Sequence, residues 1–228
     1  MEDKMIQIAI DGPAGSGKST IAKKLANHLG LIYIDTGAMY RTLTLVALEK
    51  EVGADEDEKL AILLKDFPFH FEQISGKQAV FLGERDVSLE IRREGISQHV
   101  AQYAKNSLVR EYLSNLQREM TKENAVIMDG RDIGTVILPQ ADFKFFLTAS
   151  PEERAKRRTK ELEEKGEKVD YQLILEDIIK RDTLDKKRTT SPLKRAEDAI
   201  LIDTDNKNIE EVFHLILNDI NQGKKSLE

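Results

Sequence analysis

One short segment near the start of the chain restricts the fold more than any other feature of the sequence. Residues 12–19 read Gly-Pro-Ala-Gly-Ser-Gly-Lys-Ser and match the pattern G-x-x-x-x-G-K-[ST]. The match follows an apolar run, Ile-Ala-Ile-Asp, and opens a segment with helical spacing, which is the context that this pattern requires. A strand, a glycine-rich loop and a helix in this order predict that backbone N–H groups and the helix N-terminus surround the phosphates of a nucleotide.

The residues of this loop, which we call the P-loop, have separate expected roles. Its glycines let successive N–H groups point at phosphate oxygens, Lys18 supplies a mobile positive charge, and the Ser19 hydroxyl is predicted to ligate Mg²⁺. The residues predicted to bind the nucleotide here are Gly12, Pro13, Ala14, Gly15, Ser16, Gly17, Lys18, Ser19 and Thr20. The alternative is an ordinary glycine-rich turn, and the flanking strand and helix argue against it.

Alternation of strand and helix patterns indicates the fold class. Five short apolar segments are predicted as strands: Met5–Ile10, Leu31–Ile34, Ala125–Met128, Phe143–Leu147 and Ala199–Ile202. Six segments with apolar residues at three-and-four spacing are predicted as helices: Lys18–Leu29, Ala38–Lys50, Glu94–Met120, Pro151–Lys165, Tyr171–Lys187 and Ile209–Asn221. We therefore predict an α/β fold in one domain over residues 1–228, with a five-stranded parallel sheet flanked by helices.

Residues 67–88 depart from this alternation. Short alternating runs are separated by Ser75-Gly76 and Gly83, which are turn signals. A structureless loop of about twenty residues would be unusual in a compact domain. The pattern predicts a small antiparallel sheet inserted here.

Composition limits the environment and the partners. The 228 residues include no cysteine, which excludes disulfides and thiolate metal sites and favours a cytoplasmic protein. The apolar runs are far shorter than the roughly 20 residues of a membrane span, and the first residues lack the features of a signal peptide. A net charge of −6 argues against broad nucleic-acid binding. No uncovered apolar stripe argues for a protein partner.

Charged residues follow two of the predicted strands. Asp35-Thr36-Gly37-Ala38-Met39-Tyr40-Arg41 follows the second strand, and Asp129-Gly130-Arg131-Asp132-Ile133-Gly134-Thr135 follows the third. Ligands bind outside the carboxyl ends of parallel strands, so these groups are candidates for phosphoryl transfer, which needs positioning and positive charge. The first segment could instead cap a helix, and the second could be a turn. The roles of Asp11 and Asp129 stay open between holding Mg²⁺ through water, orienting the P-loop and binding the acceptor.

A switch GTPase is disfavoured by the sequence after the last strand. Asn206-Lys207-Asn208-Ile209 lacks the aspartate of the guanine-reading motif Asn-Lys-x-Asp. The P-loop is also compatible with a kinase that has another acceptor such as UMP, AMP or shikimate, with a regulatory ATPase, and with a non-catalytic nucleotide-binding scaffold.

The quoted motifs resemble those of bacterial-type cytidylate kinases over essentially the whole chain. A further matching block, Arg181 to Leu193, has that family's spacing of Arg, Asp and Arg. The resemblance implies a monomer that uses ATP and Mg²⁺, with CMP and dCMP as acceptors. It also implies a monophosphate-binding part at 36–110, which carries the inserted sheet, and an arginine-rich lid at 151–168.

The resemblance also implies roles for individual residues. Around the cytosine it places Thr36, Arg110, Asp132 and Arg188; at the sugar, Arg181 and Asp185; at the acceptor phosphate, Arg41 and Arg131. Asp129 is also expected to be among the residues that bind the acceptor. The lid arginines Arg154, Arg157 and Arg158 are expected to move over the phosphates, with Arg157 binding ATP. The expected catalytic residues are Lys18, Arg131, Asp132, Arg154, Arg158 and Arg188.

Hydrogen bonding gives a reason for choosing cytosine over uracil. Cytosine carries an exocyclic amine that the Asp132 carboxylate can accept from, whereas uracil has a carbonyl there. A mismatch would leave buried polar groups unpaired. The sequence departs from the family pattern at Thr36, where many relatives have Ser, and at Ala101, where a sugar-contacting Ser often stands. The second departure leaves the ranking of CMP against dCMP open.

Overall fold

The computed structural model describes residues 5–74 and 77–225. The strands, in chain order, are β1 Gln7–Asp11, β2 Ile32–Asp35, β3 Phe69–Ile74, β4 Lys77–Leu82, β5 Arg85–Asp86, β6 Val126–Gly130, β7 Phe143–Thr148 and β8 Ile200–Asp203. The helices are α1 Lys18–Leu29, α2 Thr36–Glu49, α3 Asp57–Lys65, α4 Glu94–Tyr103, α5 Ser107–Glu119, α6 Pro151–Glu164, α7 Tyr171–Lys186 and α8 Ile209–Lys225. None of the helices in these ranges is both long and apolar enough to cross a bilayer.

The chain divides into two compact units. The core unit contains the residues up to Ile34 and those from Glu123 onward, and the inserted unit is Asp35–Lys122. The functional boundaries taken from the sequence, 36–110 for the monophosphate-binding part and 151–168 for the lid, stay predictions.

The core unit is built on the five-stranded sheet that the sequence predicts. Its strand order is β2-β6-β1-β7-β8, so β1 lies in the middle. β1 pairs in parallel with β6 on one side and β7 on the other, and β7 pairs in parallel with β8. The register places Asp11 opposite Gly130 of β6 and Phe146 of β7. The P-loop and the segment after β6 therefore leave the sheet side by side at its carboxyl edge.

Helices α1 and α8 cover one face of this sheet. Ile8 and Ile10 of β1 are fully buried in a cluster with Leu25 of α1 and Ile216 and Ile220 of α8. Each buried aliphatic side chain of this kind contributes roughly 1.5–3 kcal/mol, so the cluster fixes the strand that leads into the P-loop.

Helix α6 begins the segment predicted as the lid. The Ser150 side chain accepts a hydrogen bond from Glu153 N, and Pro151 occupies the first turn, where its missing N–H is not needed. Helix α6 packs against α7 within the core unit. This packing brings Arg154 of α6 next to the carboxylate of Asp182 on α7.

The inserted unit contains the predicted small antiparallel sheet. Strands β3, β4 and β5 are consecutive antiparallel neighbours, with Phe69 opposite Leu82 and Phe81 opposite Asp86. The predicted turn at 75–76 lies outside the described residues. The sequence pattern did not predict α3, a nine-residue helix that buries Leu60, Leu63 and Leu64.

One predicted helix is wrong in its extent. The single helix expected over Glu94–Met120 is two helices, α4 and α5, separated at residues 104–106. Asn106 begins the second by accepting a hydrogen bond from Val109 N at 3.1 Å. Its amide nitrogen also donates to Ala54 O at 3.1 Å. An asparagine that caps a helix and bonds a distant carbonyl is more stable at a boundary than inside a continuous helix.

Candidate active site

The P-loop joins β1 to α1 with its backbone close to the end of β7. Gly12 has φ +147°, and a Cβ at this position would lie 1.9 Å from Leu147 O, so only glycine fits. Ser16 Oγ donates to Pro13 O at 3.0 Å, which holds the loop curved. Gly17, with φ +89°, directly precedes α1. Residues 12–17 thus form one curved loop, and the other three residues predicted to bind nucleotide, Lys18, Ser19 and Thr20, form the first turn of α1.

Lys18 is buried at the base of the P-loop. Its Nζ donates to Pro13 O at 2.6 Å, and the residue is 4% exposed. Burial lowers the pKa of Lys18 to about 7, and the charge of Arg131 acts in the same direction against Asp129 and Asp11. A lysine with so low a pKa is poised to become fully charged when an anion approaches.

Asp11, whose role the sequence left open, ends β1 just before the P-loop. Its Oδ1 accepts from Ile133 N at 2.8 Å and its Oδ2 from Gly134 N at 2.7 Å. Burial raises the pKa of Asp11 to about 7, although both amide hydrogen bonds act to lower it. The carboxyl group therefore fixes the start of the single π-helical turn Ile133–Ile137, which directly follows Asp132.

Asp129, the other open assignment, is bonded to side chains instead. Ser19 Oγ donates to Asp129 Oδ2 at 2.8 Å, and the Tyr33 hydroxyl donates to Asp129 Oδ1 at 2.6 Å. The sequence did not point to Tyr33. The structure thus brings the predicted Mg²⁺ ligand into contact with a buried carboxylate.

Three charged residues from the predicted acceptor set form what we call the arginine cluster: Arg131, Asp185 and Arg188. Arg131 Nε donates to Asp185 Oδ2 at 2.9 Å, and Arg188 Nη2 donates to Asp185 Oδ1. Burial alone would raise the pKa of Asp185, but the charges of Arg131 and Arg188 outweigh it and hold that pKa below its usual value. Asp132, 6% exposed, directly follows Arg131, and the half-buried Arg181 lies on α7 one turn before Asp185.

The three predicted lid arginines of α6 have different surroundings. Arg154 is 2% exposed and forms a two-pronged pair with Asp182 at 2.6 and 3.0 Å. Arg157 donates to Thr204 O at 2.6 Å and to Thr204 Oγ1 at 3.1 Å. Arg158 pairs with Glu161 at 3.1 Å, and its side chain is 34% exposed. The family resemblance assigns Arg154 and Arg158 to catalysis and Arg157 to ATP, whereas burial separates Arg154 from the two more exposed arginines.

In the inserted unit, the predicted acceptor residues lie at the start of α2 and on α5. Asp35 caps α2 by accepting from Ala38 N at 2.8 Å, and Arg41 pairs with the same carboxylate at 3.2 Å. The capping interpretation of Asp35 is therefore correct, while Thr36 beside it is buried. Arg110, 3% exposed, donates to Ala104 O at 3.2 Å.

The parallel sheet, the P-loop at its carboxyl edge and the adjacent arginine cluster define a P-loop kinase. Two solved structures share the fold. A gluconokinase from Sinorhizobium meliloti 1021 aligns with a TM-score of 0.52 at 13% identity, covering 97% of this chain and 95% of that one. An uncharacterized protein from Eubacterium ventriosum ATCC 27560 aligns with a TM-score of 0.52 at 16% identity, covering 96% and 99%. At these identities the likeness shows the fold alone.

Sequence comparison identifies the family. The sequence model of the cytidylate kinase family matches residues 8–222. The cytidylate kinase of Clostridium perfringens strain SM101 is 55% identical over 202 residues, covering 89% of this chain and 91% of that protein. The cytidylate kinase of Streptococcus pneumoniae strain 70585 is 49% identical over 214 residues, covering 93% and 96%. The chain belongs to the cytidylate kinase family and is a nucleoside monophosphate kinase.

Proposed function

We propose that this protein transfers the γ-phosphoryl group of ATP to CMP and dCMP, producing ADP with CDP or dCDP. The observation that carries the proposal, beside the family, is the register of the central strands. Because Asp11 lies opposite Gly130, the phosphate-binding loop and the segment Arg131–Asp132 leave the sheet next to each other. A donor phosphate and an acceptor held by these two segments would approach within the distance that direct transfer requires.

On the donor side, the P-loop amides and Lys18 bind the phosphates of ATP. The loop curves from β1 into the N-terminus of α1, and a loop that ends at a helix N-terminus suits an anion. Lys18 lies beneath it with its Nζ on a backbone carbonyl, from which it can turn toward the β- and γ-phosphates.

The residues beside the P-loop fit a magnesium ion. Ser19 and Asp129 present oxygen atoms, the ligands that Mg²⁺ prefers, and their side chains are in contact at 2.8 Å. Ser19 would hold the ion directly, and Asp129 would do so through water. Across the ranges 5–74 and 77–225 no group of three or more His, Cys, Asp or Glu side chains forms a separate metal site. When bound with ATP, Mg²⁺ neutralises phosphate charge.

On the acceptor side, the charged residues divide by role. Arg131 and Arg188 stabilise the charge that develops on the transferring group, and Asp185 keeps both guanidinium groups in place. Arg181 and Asp185 bind the sugar, and Asp132 accepts a hydrogen bond from the cytosine amine. From the inserted unit we assign Thr36 and Arg110 to the base and Arg41 to the acceptor phosphate.

The three arginines of helix α6 differ in burial. The side chains of Arg158 and Arg157 are 34% and 31% exposed, and we assign Arg158 to the phosphates and Arg157 to ATP. Arg154 touches the P-loop and acts through it. Exclusion of water by this segment would limit hydrolysis of ATP without transfer.

An assay of ADP release across CMP, dCMP, UMP, AMP and shikimate tests the proposal. We expect turnover with CMP and dCMP well above that with the other three. Equal ADP release with and without an acceptor would identify a regulatory ATPase and overturn the proposal.

Cytoplasmic location and a monomeric state are also proposed. Light scattering on the purified protein measures the oligomeric state.

The Asp132→Ala variant tests how the base is read. We expect kcat/KM for CMP to fall roughly 10²-fold, because the cytosine amine loses its acceptor in a buried site. The KM for ATP should change less than about threefold, since Asp132 is assigned no ATP contact. Asp132→Asn is the matched control: it retains an acceptor oxygen and should lose less. An equal loss of kcat/KM for CMP and UMP would contradict the assignment.

A further inference from the structure

Arg154 connects the P-loop to helix α7. Its Nη1 donates to Ala14 O at 3.1 Å and to Asp182 Oδ1 at 3.0 Å, and its Nη2 donates to Asp182 Oδ2 at 2.6 Å. Its Nε donates to Ala149 O at 3.0 Å. The side chain also packs against the loop, because a Cβ added at Gly15 would lie 3.3 Å from Arg154 Cβ. The guanidinium thus holds a P-loop carbonyl and a carboxylate of α7 at the same time.

One turn further along α7 lies the carboxylate that organises the acceptor arginines. Asp182 and Asp185 are the buried residues of this helix, and their i, i+3 spacing places them on one face. Asp185 accepts hydrogen bonds from Arg131 and Arg188. Buried charged contacts therefore join the P-loop to α7 at Asp182 and the arginine cluster to α7 at Asp185, and the backbone of α7 connects the two carboxylates within the core unit.

We propose that Arg154, Asp182 and Asp185, here called the coupling chain, make ATP and CMP raise each other's affinity, with Asp182 as the positioning residue that joins the two sites. The inference rests on the proposed function. A nucleotide that fixes the P-loop fixes Ala14 O and therefore Arg154, and the paired Asp182 then holds α7 in the position that presents Asp185. The same chain acts in reverse when an acceptor fixes the arginine cluster, because coupling between two binding sites is reciprocal.

A purely structural ion pair is the competing explanation, and the two differ in what they predict. Loss of a structural pair lowers stability and weakens both ligands independently. Loss of a coupling residue removes the dependence of one affinity on the other ligand. The decisive quantity is therefore the coupling factor, the Kd for CMP alone divided by its Kd with the ATP site saturated.

The test uses titration calorimetry with CMP, Mg²⁺ and adenylyl imidodiphosphate, an ATP analogue that does not transfer its terminal phosphoryl. For the wild-type protein we expect a coupling factor of about fivefold or more, with the same factor for the analogue in the presence of CMP. For Asp182→Asn the factor should fall to about twofold or less. Asp198→Asn is the control, because it breaks an ion pair with the buried Lys144 elsewhere in the core unit. It should keep the wild-type factor.

The measurement stays decisive if Asp182→Asn folds poorly, since inactive protein changes the apparent number of sites and not the ratio of two Kd values. Arg154→Lys is a second variant that keeps the positive charge, cannot form the two-pronged pair and should also lower the factor. Wild-type coupling in Asp182→Asn, or no coupling in the wild-type protein, would overturn this inference and leave the proposed function intact. Failure of CMP to bind the wild-type protein would instead overturn the proposed function, and the inference with it.

Discussion

The P-loop and the arginine cluster are neighbours at the carboxyl edge of one sheet, yet they hold buried charge in opposite ways. In the P-loop region, Lys18 and Asp11 bond to backbone groups, to Pro13 O and to the amides of Ile133 and Gly134. In the arginine cluster, Arg131 and Arg188 bond to the carboxylate of Asp185. For Asp11, two backbone hydrogen bonds do not offset the effect of burial on the pKa, whereas for Asp185 the charges of two arginines do.

This difference appears in the pKa values. Burial moves the pKa of both Lys18 and Asp11 to about 7, so each loses much of its charge near neutral pH. The arginine cluster keeps its charge, because the pKa of Asp185 is held below its usual value and arginine does not deprotonate in proteins. The comparison indicates that Lys18 in the donor site becomes fully charged only when the negative phosphates of ATP bind. The arginines of the acceptor site are charged before CMP binds.

The largest effect expected from this difference is that of removing the P-loop lysine. Lys18→Ala should lower kcat for phosphoryl transfer roughly 10³-fold, because the transferring phosphoryl loses a buried cation that no other residue of the loop supplies. The measurement is steady-state ADP release with CMP, alongside the Kd for CMP. The Kd should change little, since the arginine cluster is intact.

Lys24→Ala is the matched control for this variant. Lys24 lies on the same helix and pairs with Glu210. Its loss should leave kcat within about twofold, as expected for an exposed ion pair. ADP release by Lys18→Ala close to that of wild type would contradict the assigned role of Lys18 in transfer. Biological activity that survives without Lys18 would instead favour a non-catalytic nucleotide-binding scaffold.

The same contrast explains how far the sequence could predict the molecule. Strand and helix positions in the core unit follow from apolar periodicity, and the P-loop follows from a local pattern, so both are readable from neighbouring residues. The individual residues of the arginine cluster could be named from the sequence: Arg131 because it follows a predicted strand, and Asp185 and Arg188 because they lie in a block that resembles the family. The pairing of Arg131 with Asp185 could not, because the two are 54 residues apart along the chain and meet only when α7 packs.

Features that depend on tertiary contacts could not be predicted from the sequence, for the same reason. The anchoring of Asp11 on the amides of residues 133 and 134 depends on the register of β1 against β6. The break between α4 and α5 depends partly on a hydrogen bond from Asn106 to Ala54 O, which no periodicity reveals. The role of Asp182 could not be predicted from neighbouring residues, because its partner Arg154 is 28 residues away along the chain and meets it only through tertiary packing.

A second and smaller effect concerns the pH dependence of binding. Lys18 is charged below its pKa of about 7 and neutral above it, and ATP binds the charged form. The Kd for adenylyl imidodiphosphate with Mg²⁺ should therefore rise as the pH increases from 7.5 to 9, by up to about tenfold per unit, since one proton is taken up for each nucleotide bound. Calorimetry in buffers of different ionisation enthalpy measures that proton directly.

Binding of CMP should behave differently over the same range. Arginines stay protonated, and the phosphate, with a pKa of about 6, is already fully ionised, so the Kd for CMP should be flat. The Lys18→Ala variant should abolish the slope for the ATP analogue. A slope of equal size for both ligands would remove the distinction between the two regions.

The smallest effect expected is on stability, through Asp11. The pKa of Asp11 is raised from 3.8 to about 7 in the folded state. Its contribution to the free energy of unfolding is therefore fully present below pH 3.8 and is lost as the pH rises through 7. Asn does not titrate, so the difference in unfolding free energy between wild type and Asp11→Asn should shrink by about 1–2 kcal/mol from pH 5 to 7, as measured by urea unfolding. Lys18→Ala is the control. Lys18 is protonated in both the folded and the unfolded state below pH 7, so it changes the pH dependence of the unfolding free energy only between pH 7 and 10.5. Its removal should therefore leave the change between pH 5 and 7 in place. A constant difference for Asp11→Asn would mean that its carboxyl group stays ionised on the two amides, and the P-loop region would then hold charge as firmly as the arginine cluster does.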